Sequence, residues 1–167
     1  MPLLLIKKYL APFFILLLIY VMLGCNNDVS KSDDTHYNID SLLSAPTQID
    51  INGQQFELSP YLWRDFMPVS PIDGKPMIAL IKVYTTDSLA LPSSLTPDSL
   101  WIINGKQVWT TTFSPKEQRT FEDHLESIAR NGPKWGPGIK VDVVIRLKNN
   151  NDIYYLKATN ITINRTD

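Results

Sequence analysis

The chain has 167 residues, with 16 Lys or Arg against 17 Asp or Glu, a formal net charge of −1, 44% hydrophobic residues and one cysteine. Nucleic-acid binding draws its affinity from cations that neutralise phosphates, and no basic stripe exists to do this. A single cysteine cannot form a disulfide within the chain, so packing must hold the fold together.

The first stretch is a leader. Lys7 and Lys8 precede a fifteen-residue apolar run over 9–23, which closes on Gly24 and then Cys25. A positive segment, an apolar segment and a small residue in that order are the layout of a secretory signal. The run is also shorter than the roughly 20 residues a spanning helix needs; an uncleaved anchor helix and a plain signal with an incidental thiol are the alternatives, and both still export the domain. Met22-Leu23-Gly24-Cys25 resembles the lipobox of bacterial lipoproteins. That resemblance implies a signal peptide over 1–24, cleavage before Cys25 and a lipid, palmitate among its acyl chains, on the Cys25 sulfur. It further implies a membrane-anchored protein facing the periplasm or the cell exterior. Because Asn26 rather than Asp follows the cysteine, the family pattern points to the outer membrane of a Gram-negative cell.

Without the leader 143 residues remain, enough for one real core. They carry 14 basic and 17 acidic side chains, and the excess acid lies in Asp28, Asp33, Asp34 and Asp40. Residues 25–45 are polar and read as a flexible tether behind the lipid, leaving 46–167 as the domain.

The domain opens with Asn52-Gly53, the residue pair that two-residue hairpin turns favour because both central positions need positive φ. Counting outward pairs Ile51 with Gln54 and Ile49 with Phe56, so Ile49, Ile51, Phe56 and Leu58 share one face. A dense aromatic segment follows, Tyr61-Leu62-Trp63-Arg64-Asp65-Phe66, then a loop with Pro68, Pro71, Asp73-Gly74 and Pro76. Residues 77–84 are apolar on both faces and read as a central strand. Asn104-Gly105 marks a second hairpin, with Leu100, Ile102 and Trp109 on one side and Trp101, Ile103 and Val108 on the other.

Ser114-Pro115-Lys116-Glu117 fits a capping box with proline at the first helical position. Phe121, Leu125 and Ile128 follow at helical spacing up to Asn131-Gly132-Pro133, so the one helix is expected here. The last third alternates with period two, Ile139, Val141, Val143, Ile145 and Leu147 on one face. Asn149 to Asp152 is a turn, after which the chain returns. Seven or eight short strands with regular turn signals predict a mainly β fold, an antiparallel sandwich with one short helix. The final hairpin resembles the last two strands of immunoglobulin-like or fibronectin-type domains, without their buried cysteine pair.

Catalytic chemistry is sparse. His36 lies in the tether and His124 on the expected helix, so no histidine pair has metal spacing. No cofactor or metal is expected. Glu122 and Glu126, one helical turn apart beside Asp123 and His124, are the carboxylates nearest to acid/base spacing, although a solvated helix face explains them as well. Asn149-Asn150-Asn151-Asp152 offers oxygens to calcium but lacks the Gly and terminal Glu of the loop motif, so it reads as a polar turn. Among the aromatics, Trp101 and Trp109 read as core. Trp135, in the rigid loop Pro133-Lys134-Trp135-Gly136-Pro137-Gly138, and Trp63 are the candidate ligand contacts.

Three functions compete on this reading. The first is a non-catalytic binding or adhesion module on a lipid anchor, with an envelope protein or glycan as partner. The second is a structural or accessory subunit of an envelope complex, which an unpaired sheet edge would mark. The third is a small envelope hydrolase, which a cleft gathering Asp65, Asp73 or Glu122 would mark.

Overall fold

The computed structural model describes residues 38–87 and 89–167. The leader, Cys25, the acidic positions 28, 33 and 34, and His36 lie outside the described residues.

The fold is mainly β. The strands are β1 (Gln48–Ile51), β2 (Gln54–Asp65), β3 (Met77–Thr85), β4 (Leu95–Asn104), β5 (Gln107–Thr112), β6 (Gln118–Thr120), β7 (His124–Gly132), β8 (Lys140–Asn149) and β9 (Asp152–Thr166). They form one curled, mixed sheet in the order β5-β4-β8-β9-β2-β3-β7-β6, with β1 paired to β2 beside that path. Every ladder is antiparallel except β2 with β9, which is parallel. That pairing corrects the purely antiparallel expectation. Its cause is the length of β9, which pairs with β8 up to Thr162 and then hands over to β2 from Ile163 to Thr166. A bulge opposite Val141 and Val143, with Asn160 at φ 58, bends β9 between the two halves, as an extra unpaired residue does.

The first hairpin pairs Ile51 with Gln54 and Ile49 with Phe56, and Asn52 and Gly53 have φ of 56° and 84°. β2 then runs through the aromatic segment without a break. Pro60 lacks an N–H, and it lies where β1 has already stopped opposite Glu57 and β9 has not yet begun opposite Leu62, a gap that tolerates proline. The second hairpin turns at Gly105 and Lys106 rather than Asn104 and Gly105, because Asn104 pairs with Gln107. The side-chain faces survive this slip because the register moves by two residues, which puts Ile102 opposite Trp109 and Ile103 opposite Val108.

The helix expected after Ser114 is absent, which is the largest correction. A single 3₁₀ turn, Pro115–Glu117, has no side-chain cap bond from Ser114 and gives way to β6 and β7. In β7 the inward residues Leu125, Ser127 and Ala129 are buried, with His124, Glu126 and Ile128 outward. The window satisfied periods of both 3.6 and two, and pairing with β3 selected two.

The helix lies instead at α1 (Ile39–Leu43), inside the segment expected to be tether. The Asn38 side chain accepts from the Asp40 N–H at its start, as an N-cap does. Leu42 and Ala45 are buried with Trp101, Ile103 and Val144, and thereby cover the outer side of β4 and β8. Among the described residues no helix is long and apolar enough to cross a membrane.

The inner sides of both halves meet in one core. It joins Phe56, Leu62 and Ile81 to Leu100, Val143, Ile145, Leu147, Leu156 and Ile163. Curling brings β5 within reach of β7, so a Cβ added at Gly132 would lie 2.9 Å from the Trp109 ring. Ile145 is fully buried on β8, between β4 and β9. Ile145→Ala should therefore cost about 2–5 kcal/mol in chemical denaturation. A loss under about 0.5 kcal/mol would be the behaviour of a surface position.

Candidate functional site

Alternation along β2 sends Phe56, Leu58, Leu62 and Arg64 to the inner side and Tyr61 and Trp63 to the outer one. A cation therefore stands at a core-facing position, and Arg64 is only 4% exposed. Its Nε donates to the Lys75 carbonyl at 3.0 Å, and its Nη1 donates to the carbonyls of Lys134 at 3.0 Å and Trp135 at 3.3 Å. Nη2 donates to the Asp73 carbonyl. One guanidinium thus holds two loops, 66–76 and 133–139, by their backbones, using the fork of donors that lysine lacks.

Ion pairs close the same end. Lys134 meets Asp73 at 2.7 Å and Lys75 meets Asp65 at 2.7 Å. The Lys134 hydrogen bond holds the Asp73 carboxyl below its ordinary value. Asp65 is lowered first by the hydrogen bond from Lys75 and next by the Met67 N–H. Both are committed anions rather than proton donors. The Phe66 ring lies under two guanidinium groups, 5.0 Å from Arg64 and 4.0 Å from Arg165. Gly74, at φ +73°, is buried against that ring, and a Cβ there would come within 2.6 Å of it. Only glycine combines that φ with that approach.

The outer face of β2, β3 and β7 forms cross-strand rows. Trp63 lies opposite Ile78, and Tyr61 opposite Leu80, which lies opposite Ile128. The Tyr61 and Trp63 rings are 5.5 Å apart and tilted by 36°. Tyr61 is 49% exposed, and no element covers this patch among the described residues. Polar rows continue it. Lys82 meets Glu126 at 2.6 Å, His124 Nε2 lies 3.4 Å from the same carboxylate, and the Tyr84 hydroxyl donates to Glu57 at 2.5 Å. The bond to Glu57, with burial behind it, pushes the Tyr84 phenol up. A shallow depression of about 240 Å³ borders the patch, lined by Lys116, Glu117, Arg119, Glu126, Ile128 and Arg130.

The two candidate tryptophans part company here. Trp63 is on the outer patch, whereas Trp135 is half-buried and packs against the main core, as a lid does. Of the carboxylates of the hydrolase reading, Asp65 and Asp73 lie at the same end, each tied to a lysine, whereas Glu122 precedes β7 and Lys134 follows it, so Glu122 is set off from them by the length of that strand, about 26 Å at 3.3 Å per residue. Glu122 and Glu126 are a turn residue and an outward strand residue, not neighbours on a helix. The Asn149 side chain is buried and accepts from the Ser94 hydroxyl at 2.5 Å. Among the described residues no group of three His, Cys, Asp or Glu could hold a metal ion.

Sequence reading passed over Arg64, although the inward run Leu62 to Arg64 carried the signal. It also passed over Met67, Val69 and Ile72, which stand 49%, 89% and 104% exposed on the 66–76 loop. The chain matches no protein-family model, no curated protein and no solved structure in comparison.

Replacing Arg64 by Met leaves four carbonyls without their donor, and a bond to a charged group is worth about 1.5–3 kcal/mol net, less where water reaches the freed carbonyl. Arg64→Met should cost about 3 kcal/mol or more in denaturation and expose 66–76 and 133–139 to limited proteolysis. A loss under about 1 kcal/mol with intact loops would show that the ion pairs alone suffice.

Proposed function

We propose that the chain is a membrane-anchored envelope lipoprotein whose β domain is a non-catalytic binding module, taking an envelope protein or glycan on the outer face of β2, β3 and β7. One contrast carries this reading. The outer face of β4 and β8 buries Trp101, Ile103 and Val144 under α1, whereas exposed Tyr61 and half-buried Trp63, Ile78, Leu80 and Ile128 have no such helix over them among the described residues. Contiguous aromatic and aliphatic surface of this kind, rimmed by charges, marks contact sites. Trp63 and Tyr61 are the anchors of that contact. Two facing half-sheets around one core also support the finer reading of an immunoglobulin-like sandwich, modified by the parallel β2–β9 pairing.

The accessory-subunit reading has one observation in its favour. β5 ends the strand order, so its outer edge, with Thr110 and Thr112 exposed, has no strand neighbour among the described residues, and such an edge accepts an added strand.

Two experiments test the proposal. A photo-crosslinking amino acid at position 61 should capture one discrete envelope component in native membranes, while the same group at Thr110 should not. Capture from position 110 alone would favour the accessory subunit. Labelled palmitate should enter the protein and be lost in Cys25→Ser, and equal labelling of both would remove the anchor.

A further inference from the structure

We propose that the 67–72 tip of the loop between β2 and β3 seats against a lipid bilayer and sets the orientation of the tethered domain. The inference rests on the lipoprotein reading for its proximity to a membrane and on the loop for everything else.

Met67, Val69 and Ile72 are 49%, 89% and 104% exposed within one six-residue segment. Exposed aliphatic side chains in water gain nothing there, and a cluster of them marks a surface that is covered in use. The segment is stiff. Pro68 and Pro71 limit its backbone, and the Ser70 N–H donates to Met67 at 2.7 Å while the Gly74 N–H donates to Pro71 at 2.8 Å. Arg64 holds the far side through the carbonyls of Asp73 and Lys75. Phe66 and Gly74 fill the base. A preformed tip loses little entropy on contact.

Lipid rather than protein is favoured by what the tip does not offer. On the tip the N–H groups of Met67 and Ser70 have partners inside the protein and the two prolines have none to satisfy, which lowers the cost of bringing this backbone into an apolar medium. No aromatic ring or charge stands on the tip itself. The cations lie one step behind, with Lys75, Lys134 and Arg165 at the loop base, each sharing a carboxylate and each partly exposed. An aliphatic tip with basic side chains at headgroup level is the arrangement of an interfacial contact. Such a contact is too small to hold a soluble protein at a membrane. Behind a lipid anchor it becomes intramolecular, and its effective concentration is set by the tether.

The test uses the full lipidated chain reconstituted in phosphatidylethanolamine–phosphatidylglycerol vesicles, with a nitrobenzoxadiazole label on Val69→Cys. A label on Asn151→Cys serves as control. Asn151 lies in the turn between β8 and β9, at the opposite end of β8 from the 133–139 loop. The expected result is a blue-shifted emission at position 69 that is mostly lost when nitroxide-labelled lipid is included, with position 151 unchanged. Ile72→Asp in the labelled protein should return the emission to its value in water. Equal emission at 69 and 151, an unaltered signal in Ile72→Asp, or a shift that appears only when membrane proteins are added would each overturn the proposal. Intact mass reports acylation separately. An acylated chain whose label stays in water overturns the tip alone. An unacylated chain overturns the anchor and with it the tip contact, which depends on the anchor for its effective concentration.

Discussion

The guanidinium of Arg64 is the constraint on which one whole end of the molecule depends. An ionised group taken out of water is costly unless every donor finds an acceptor, and here the acceptors are backbone carbonyls of two loops rather than a carboxylate. The same residue is tied through its own carbonyl to the Thr166 hydroxyl, while the Phe66 N–H donates to the Thr166 carbonyl at 2.8 Å. Arg64 thus sits at the junction of β2, the C-terminal end of β9 and both loops. The C-terminal end of the parallel β2–β9 ladder and the 66–76 loop thus meet at one residue.

Around that end the two outer faces have different fates. On β4 and β8, α1 supplies Leu42 and Ala45 to seal an apolar surface, and the Lys157 N–H donates to the Pro46 carbonyl at 2.8 Å to hold the following segment down. On β2, β3 and β7 a comparable row of aromatic and aliphatic side chains stays partly exposed among the described residues. Burying surface stabilises by about 25 cal/mol per Å², so a face left open forgoes that gain unless a partner supplies it. Asp65 and Asp73, at the Arg64 end, are each paired to a lysine and held as anions.

Much of the fold was legible wherever neighbours in sequence are neighbours in space. Asn52-Gly53 determined a hairpin to the residue, since two consecutive positive φ angles leave few residue choices. The second hairpin slipped by one turn position without changing any face, because side-chain direction has period two and the slip preserved it. Residues 114–131 failed for the opposite reason. Phe121, Leu125 and Ile128 suit a helix, Leu125, Ser127 and Ala129 suit a strand with small inward residues, and local pattern alone cannot rank them. β3, with a free edge to be paired, ranked them.

By itself, then, the chain determined its β character, the hairpin faces, the central positions of β3 and β8 and an aromatic excess on β2, all of which follow from alternation and turn chemistry over a few residues. Tertiary structure alone decided that α1 covers Trp101 and that β9 crosses from β8 to β2. It alone decided that Trp63 faces out while Trp135 folds inward, and that Arg64 gathers carbonyls from residues 9 to 71 positions away. Each of these depends on which distant segment reaches an edge or a buried donor first, and a local sequence pattern holds no record of that competition.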